Sequence, residues 1–264
     1  MKVMILCGGR GTRLREETEY RPKPMVPIGS RPILWHIMKI YSHFGHRDFI
    51  LCLGYKGGMI KEYFRNFHWH HGDVSLRLGR PEEAVFHAGV AEEHSWNVTL
   101  AETGEDSMTA YRIRQAAKYL GDDEEFLLTY GDGVADVNLD EVLKFHRSHN
   151  RTVTLTGVHP PGRFGELHLG EDNTARSFNE KPQAEGGYIN GGFMVCRTKK
   201  FLACLPDDPG MMLEDEPMRR LARTGELAVY RHEGFWQPMD THPEFLLLNR
   251  LWTAGRAPWK FWKE

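Results

Sequence analysis

Lys2-Val3-Met4-Ile5-Leu6-Cys7-Gly8-Gly9-Arg10-Gly11-Thr12-Arg13-Leu14 is the stretch whose reading decides the fold. Its first six residues make a short, largely apolar run that stops at Gly8-Gly9, the pattern of a buried strand opening into a loop. That loop is expected to continue to about Arg31. From Pro32 the apolar residues Ile33, Leu34, Ile37, Ile40, Tyr41 and Phe44 recur at helical spacing, with proline in the first turn and Gly45 just past the end. Phe49 to Leu53 reads as a second buried strand. Gly57 to Phe67 reads as a second helix with Met59, Ile60, Tyr63, Phe64 and Phe67 on one side. Strand, helix, strand, helix in that order implies a parallel sheet.

Farther along, Val98 to Ala101 and Phe126 to Tyr130 have the character of strands, with a helix expected between them over Ser107 to Tyr119. Each strand runs into a polar, glycine-containing loop. After Asp136 the pattern changes. Val153 to Val158, Glu166 to Leu169, Ala175 to Phe178 and Phe193 to Cys196 are short strands with brief turns between them, which predicts antiparallel additions to the sheet. Helices near Glu214 to Thr224 and Pro243 to Ala254 complete the pattern. The expected fold class is α/β, a Rossmann-like, mixed but mainly parallel central sheet flanked by helices. A chain of 264 residues can bury such a core as a single domain.

Composition narrows the function. With 34 Lys plus Arg against 36 Asp plus Glu, the formal charge is -2, so there is no basic field to draw the chain to nucleic acid or to an anionic membrane. Cys7, Cys52, Cys196 and Cys204 show no C-x-x-C spacing, which argues against a zinc knuckle or redox motif and for free thiols. The apolar run at the start is too short for a signal sequence or a membrane span, so a cytoplasmic location is expected.

The chemistry concentrates in a few motifs. A glycine-rich loop leaving a strand lets backbone N–H groups approach phosphate oxygens, because no Cβ stands in the way. Arg13, and Lys23 within Arg21-Pro22-Lys23-Pro24, then supply cations for a triphosphate. The competing reading is a plain glycine turn. No G-x-x-x-x-G-K-[ST] is present, and the G-x-G-x-x-G begun at Gly9 fails at Leu14, which disfavours a P-loop and a nicotinamide dehydrogenase. Tyr130-Gly131-Asp132-Gly133 ends an expected strand on the ligand side of such a sheet, and Pro238-Met239-Asp240-Thr241 brings a second carboxylate. Two Asp with phosphate oxygens and waters suit Mg²⁺, although either alone reads equally as a turn residue or a helix cap. Phe164-Gly165-Glu166, Glu180-Lys181-Pro182 and Asn190-Gly191-Gly192 offer planar acceptors, an amide and a cation of the kind a sugar phosphate needs. Glu-Lys-Pro also reads as an exposed turn.

Taken together these motifs resemble the sugar-1-phosphate nucleotidylyltransferases, nearly end to end. Within that family the likeness is to the cytidylyltransferase branch, through Lys23-Pro24-Met25-Val26, Trp96 to Leu100, Asp106 to Thr109, Pro160 to Gly165 and Phe235 to Thr241. Ala110-Tyr111 and Glu166 depart from that branch, which usually has two glycines and a small residue there. The resemblance implies a nucleotidyltransferase-type fold, with about 1–136 holding the nucleotide and about 137–264 the sugar phosphate. It implies CTP and a sugar 1-phosphate, α-D-glucose 1-phosphate above all, as substrates, Mg²⁺ as cofactor, and a homo-oligomer. By position it places Arg13, Lys23 and Asp132 in catalysis, Asp132 and Asp240 on the metal, and Gly165, Glu180, Lys181 and Asn190 on the sugar phosphate. The nucleotide set it implies is Leu6, Gly8, Gly9, Arg10, Gly11, Thr12, Arg13, Lys23, Thr103, Thr109 and Gly131.

The reaction expected is an in-line displacement at the α-phosphorus without a protein nucleophile, Cys7 being a bystander. Another nucleotide or sugar phosphate would use the same chemistry, and a catalytically silent regulatory subunit would use the same fold. The group His68-Trp69-His70-His71 lacks the spacing of a metal site and is expected to serve in a loop or subunit contact. The family resemblance implies that the acidic Leu213-Glu214-Asp215-Glu216-Pro217 helps orient substrate, while acidic residues there also read as ordinary negative charge at a helix start.

Overall fold

A computed structural model describes residues 1–87, 92–160, 166–169, 175–179 and 187–262, with 166–169 and 175–179 described through their backbone. The first strand, β1 (Lys2–Cys7), is covered on both faces. Val3, Ile5 and Cys7 enter one core cluster and Met4 and Leu6 the other, all of them buried. Two-sided burial is what a run without polar alternation requires. The helix α1 (Ile33–His43) follows, with Pro32 held extended as its N-cap and Gly45 in the left-handed region just beyond its end. Next come β2 (Asp48–Leu53), α2 (Gly57–Arg65), β3 (Asn97–Glu102), α3 (Thr109–Ala116) and β4 (Glu125–Tyr130). Strands β1, β2, β3 and β4 are parallel, in the order β4-β1-β2-β3.

Farther along, the elements that build the site and the rest of the sheet are β5 (Gly133–Ala135), α4 (Leu139–Arg147), β6 (Val153–Val158), β7 (Ile189–Asn190), β8 (Met194–Arg197), α5 (Glu216–Arg223), β9 (Leu227–His232), β10 (Trp236–Pro238) and α6 (His242–Thr253). Strand β8 joins β4 antiparallel, and β6 joins β8 and β7 antiparallel, which extends the sheet as the sequence predicts. Strands β7 and β8 are one line broken at Gly191, Gly192 and Phe193, where Gly192 has φ 76° and Phe193 φ 45°. A Cβ on Gly191 would come within 2.6 Å of Val158 Cγ1, so the break needs glycine there. The hairpin Glu166–Leu169 with Ala175–Asn179 lies outside this sheet.

Three expectations change. The loop drawn to Arg31 is folded: Arg15–Thr18 forms a helical turn, Lys23–Met25 a 3₁₀ turn, and Pro27–Ile28 pairs with Arg31–Pro32. Thr18 organises it, its hydroxyl donating to the carbonyls of Gly11 (3.0 Å) and Leu14 (2.9 Å). The second helix stops at Arg65, and Phe67–His71 forms a short helix of its own. Strand β9 runs parallel to β6, so the second half is not purely antiparallel.

Candidate active site

At the carboxyl end of β1 and β4, the glycine loop, Lys23, the start of α3 and Gly131-Asp132 surround a cavity of about 290 Å³. Gly131 N–H donates to the Leu6 carbonyl at 3.0 Å, and a Cβ on Gly131 would stand 2.9 Å from that same oxygen, so the two strand ends meet only through glycine. Gly11, at φ 61°, turns the phosphate loop back over Thr18.

The charged centre is built from three distant stretches. Lys23 Nζ donates to Asp132 Oδ2 at 2.7 Å and also to Asp240 Oδ1. Arg13, largely exposed, reaches Asp240 Oδ2 at 2.8 Å. The 3₁₀ turn that carries Lys23 is braced by Pro22, held extended, and by the buried Pro24. Burial alone would push the Lys23 ammonium down, but the charge and hydrogen bond of Asp132, and then those of Asp240, outweigh it and hold the ammonium above its ordinary value.

The two acids meet because of a short antiparallel ladder. Strand β5 begins just after Asp132, β10 ends two residues before Asp240, and Gly133 pairs with Pro238. Met239 N–H donates to the Asp132 carbonyl at 2.8 Å and closes the ladder. Beyond it, Glu244 Oε2 accepts the N–H groups of Asp240 (2.7 Å) and Thr241 (2.8 Å) in a capping box that starts α6. Asp240 is thus held from both sides.

Arg112 supports the glycine-loop side of the cavity from beneath. It is buried, and its guanidinium donates to the carbonyls of Leu53, Gly104, Gly8 and Glu105 and to Thr103 Oγ1, at 2.6 to 3.1 Å. Three loops are pinned by one side chain. A Cβ on Gly8 or Gly54 would strike this guanidinium.

Family comparison fits this arrangement: the nucleotidyl transferase family matches residues 2–246. The chain belongs to that family. It is similar to glucose-1-phosphate cytidylyltransferases of Salmonella typhi and of Salmonella typhimurium, each 50% identical over 263 residues and covering 100% of both chains. Among solved structures, HddC from Yersinia pseudotuberculosis aligns with TM-score 0.66 at 21% identity, over 95% of this chain and 99% of that one. HddC is also known complexed with GMP-PN. The resemblance and the fold class read from the sequence both hold.

In this nucleotidyl transferase the cavity gathers Leu6, Gly8, Gly9, Gly11, Thr12, Arg13, Lys23, Thr109, Gly131 and Asp132 from the residues singled out by sequence. Arg10 lies outside its lining, in an exposed ion pair with Asp106 at 2.5 Å. Thr103 lies behind the wall, its hydroxyl donating to the Leu53 carbonyl at 2.6 Å while accepting from Arg112. Asn190 sits at the break between β7 and β8, its amide donating to Tyr130 Oη at 2.9 Å. Gly165, Glu180 and Lys181 lie outside the described residues. Sequence reasoning gave no role to Arg112 or Tyr130, which also line the cavity, and named Ser107 and Met108 there only within the stretch Asp106 to Thr109. Cys7 lines it as well, but burial pushes its thiol far up, Cys52 and Asp132 adding to the effect against Arg112, so it is no ready nucleophile.

The departure at Ala110-Tyr111 is accommodated by helix. Ala110 is buried on α3, and its N–H donates to the Met211 carbonyl at 3.2 Å.

Proposed function

We propose that this chain condenses CTP with α-D-glucose 1-phosphate to give CDP-glucose and pyrophosphate. The observation that carries the reading is Lys23 and Asp132 in the wall of the glycine-loop cavity, with Asp240 paired to Lys23, in a chain of this family with full-length cytidylyltransferase relatives.

In the proposed reaction an oxygen of the sugar phosphate attacks the α-phosphorus of CTP. The bond from that phosphorus to the β-phosphate bridging oxygen breaks in line, and pyrophosphate leaves with the electron pair. The attacking group is already an anion, so no general base is needed. The chain's task is to align two polyanions and neutralise their charge. Backbone N–H groups of the glycine loop, Arg13 and Lys23 meet the triphosphate. Gly165, Glu180, Lys181 and Asn190 are proposed for the sugar phosphate.

Asp132 and Asp240 fit a Mg²⁺ site, because their carboxylates already converge on a single cationic centre and present hard oxygen donors. Bound there, Mg²⁺ would supply charge neutralisation on the phosphates. Lys23 satisfies both carboxylates without it, which keeps two acids together at tolerable cost.

Other copies of the chain belong among the proposed partners, supported by the exposed Trp69 and Phe86, which pack on each other edge to face. Sedimentation giving only a 30.5 kDa species at micromolar concentration would count against this. A cytoplasmic setting suits the free thiols, and among the described residues no helix is long and apolar enough to cross a membrane.

A pyrophosphate-release assay over a panel of nucleoside triphosphates and sugar 1-phosphates tests the proposal. CTP with glucose 1-phosphate should be the preferred pair. UTP or GTP outperforming CTP at equal concentration would overturn the nucleotide assignment, and no release with any pair would favour a silent subunit.

A further inference from the structure

Glu214 stands just ahead of α5, where acidic residues ordinarily serve a helix start. Its carboxylate does something else. Oε2 accepts the Thr109 hydroxyl at 2.9 Å and Oε1 accepts the Tyr130 hydroxyl at 2.6 Å. Thr109 Oγ1 accepts the Leu213 N–H at 2.7 Å. Tyr130 Oη accepts from Asn190 Nδ2 at 2.9 Å, and Asn190 Oδ1 accepts the Gly192 N–H at 2.9 Å. Thr109 and Tyr130 both line the cavity, whereas Glu214 lies behind them.

The directions of the two hydroxyl bonds in this chain follow from one charge. An ionised carboxylate has acceptors only, so the protons of both hydroxyls must point at Glu214. Tyr130 Oη is then left as an acceptor toward Asn190 Nδ2, the end of the amide that the Gly192 N–H on Oδ1 turns toward it. Without that charge the proton of each hydroxyl would have no single acceptor to point at.

We infer that Glu214 is a positioning residue that orders the nucleotide side and the sugar side of the cavity together, through Thr109 on one side and Tyr130 with Asn190 on the other. This rests on the proposed function for the identity of the two substrates. In Glu214→Gln the shape is kept, but the amide has one acceptor oxygen and a donor nitrogen, so one hydroxyl must turn away. The preferred orientation of one half of the cavity is lost without a cavity being made in the core.

Steady-state kinetics with the wild-type chain, Glu214→Gln, Tyr130→Phe and the double variant test the inference, on CTP and glucose 1-phosphate or on whichever pair the wild-type chain uses. Glu214→Gln should raise KM for both substrates about tenfold, as expected for hydrogen bonds to a charged group, with kcat changed less. Tyr130→Phe should raise KM chiefly for the sugar phosphate, and the double variant should fall short of the product of the two single effects. Wild-type KM values in Glu214→Gln, a loss confined to kcat, or a change in melting temperature alone would overturn it. Should the wild-type chain prove inactive with every pair, the proposed function fails by itself. Calorimetric CTP binding then reads Glu214 separately: about tenfold weaker binding in Glu214→Gln sustains the inference, and equal binding overturns it.

Discussion

The Arg112 guanidinium occupies the space that a side chain on Gly8 would need: a Cβ on Gly8 would stand 2.2 Å from Arg112 Cζ. The phosphate loop is therefore held from below by a buried cation that also grips the loops after β2 and β3. Gly8→Ala must displace one or the other. The expected cost is about 2 kcal/mol of stability, typical of a clash at a buried contact. Nucleotide affinity should fall at the same time. Denaturant unfolding and calorimetric binding check both, and an Ala variant with wild-type affinity would show that the loop does not depend on this contact.

Asp132→Asn and Lys23→Ala are expected to fold and to lose most of their activity, on the order of 10²-fold each, since both act on the charge of the reacting phosphates. The two differ in how they respond to metal. Removing Lys23 takes away the cation that Asp132 and Asp240 share and leaves only Arg13 on Asp240, so its melting temperature should rise with added Mg²⁺ more than that of the wild-type chain. Near-wild-type turnover of Asp132→Asn at saturating Mg²⁺ would take Asp132 out of the metal site.

His36 is completely buried, one ring nitrogen 3.0 Å from the Ile28 carbonyl and the other 3.4 Å from Trp259 Nε1. Burial lowers it to about 4 despite the Ile28 hydrogen bond, with Arg31 and Lys260 adding to the lowering. The unfolded chain, with an ordinary histidine near 6.5, binds the proton first as pH falls. Stability is therefore at its full value above pH 6.5 and declines from there toward pH 4. Melting temperatures across that range should show the decline, and His36→Gln should flatten it in part. The flattening is partial because burial also brings His46, His71 and His146 to about 4.

Trp259 is the largest fully buried side chain, stacked on Phe235 with ring centroids 5.6 Å apart and touching His36 on α1. Trp259→Ala should cost about 3–5 kcal/mol by leaving a large void. Phe is expected to recover much of it. A midpoint of chemical denaturation unchanged in the Ala variant would mean that this segment is not part of the cooperative core.

Legibility from sequence followed the reach of the pattern. Strand β1 and the glycine loop are readable because their signals are continuous in the chain. Asp132 and Asp240 are each readable as candidates, but their meeting is not, since β5 and β10 pair over three residues apiece and leave no periodic trace. Arg112 reads as one more helical residue, and the missing side chains that make room for it are those of Gly8 and Gly54, distant in sequence. Helix α4 was within reach: Asn138 caps it by accepting the Glu141 N–H, and Leu139, Val142, Leu143 and His146 are buried at helical spacing. Strand β9 was harder, because only Ala228 in it is buried while Val229 is exposed, so burial in it is slight for a strand inside the sheet.

The ladder between β5 and β10 makes everything from Asp136 to Phe235 a single excursion whose two ends are clamped beside the acids, Asp136 N–H donating to the Phe235 carbonyl at 3.1 Å. Lengthening a closed excursion costs little, growing only with the logarithm of its length. Insertions and exchanges within its turns can therefore remodel the surface proposed for the sugar phosphate while the spacing of Asp132 and Asp240 stays constant. Such a chain can diversify its acceptor without renegotiating its catalytic centre.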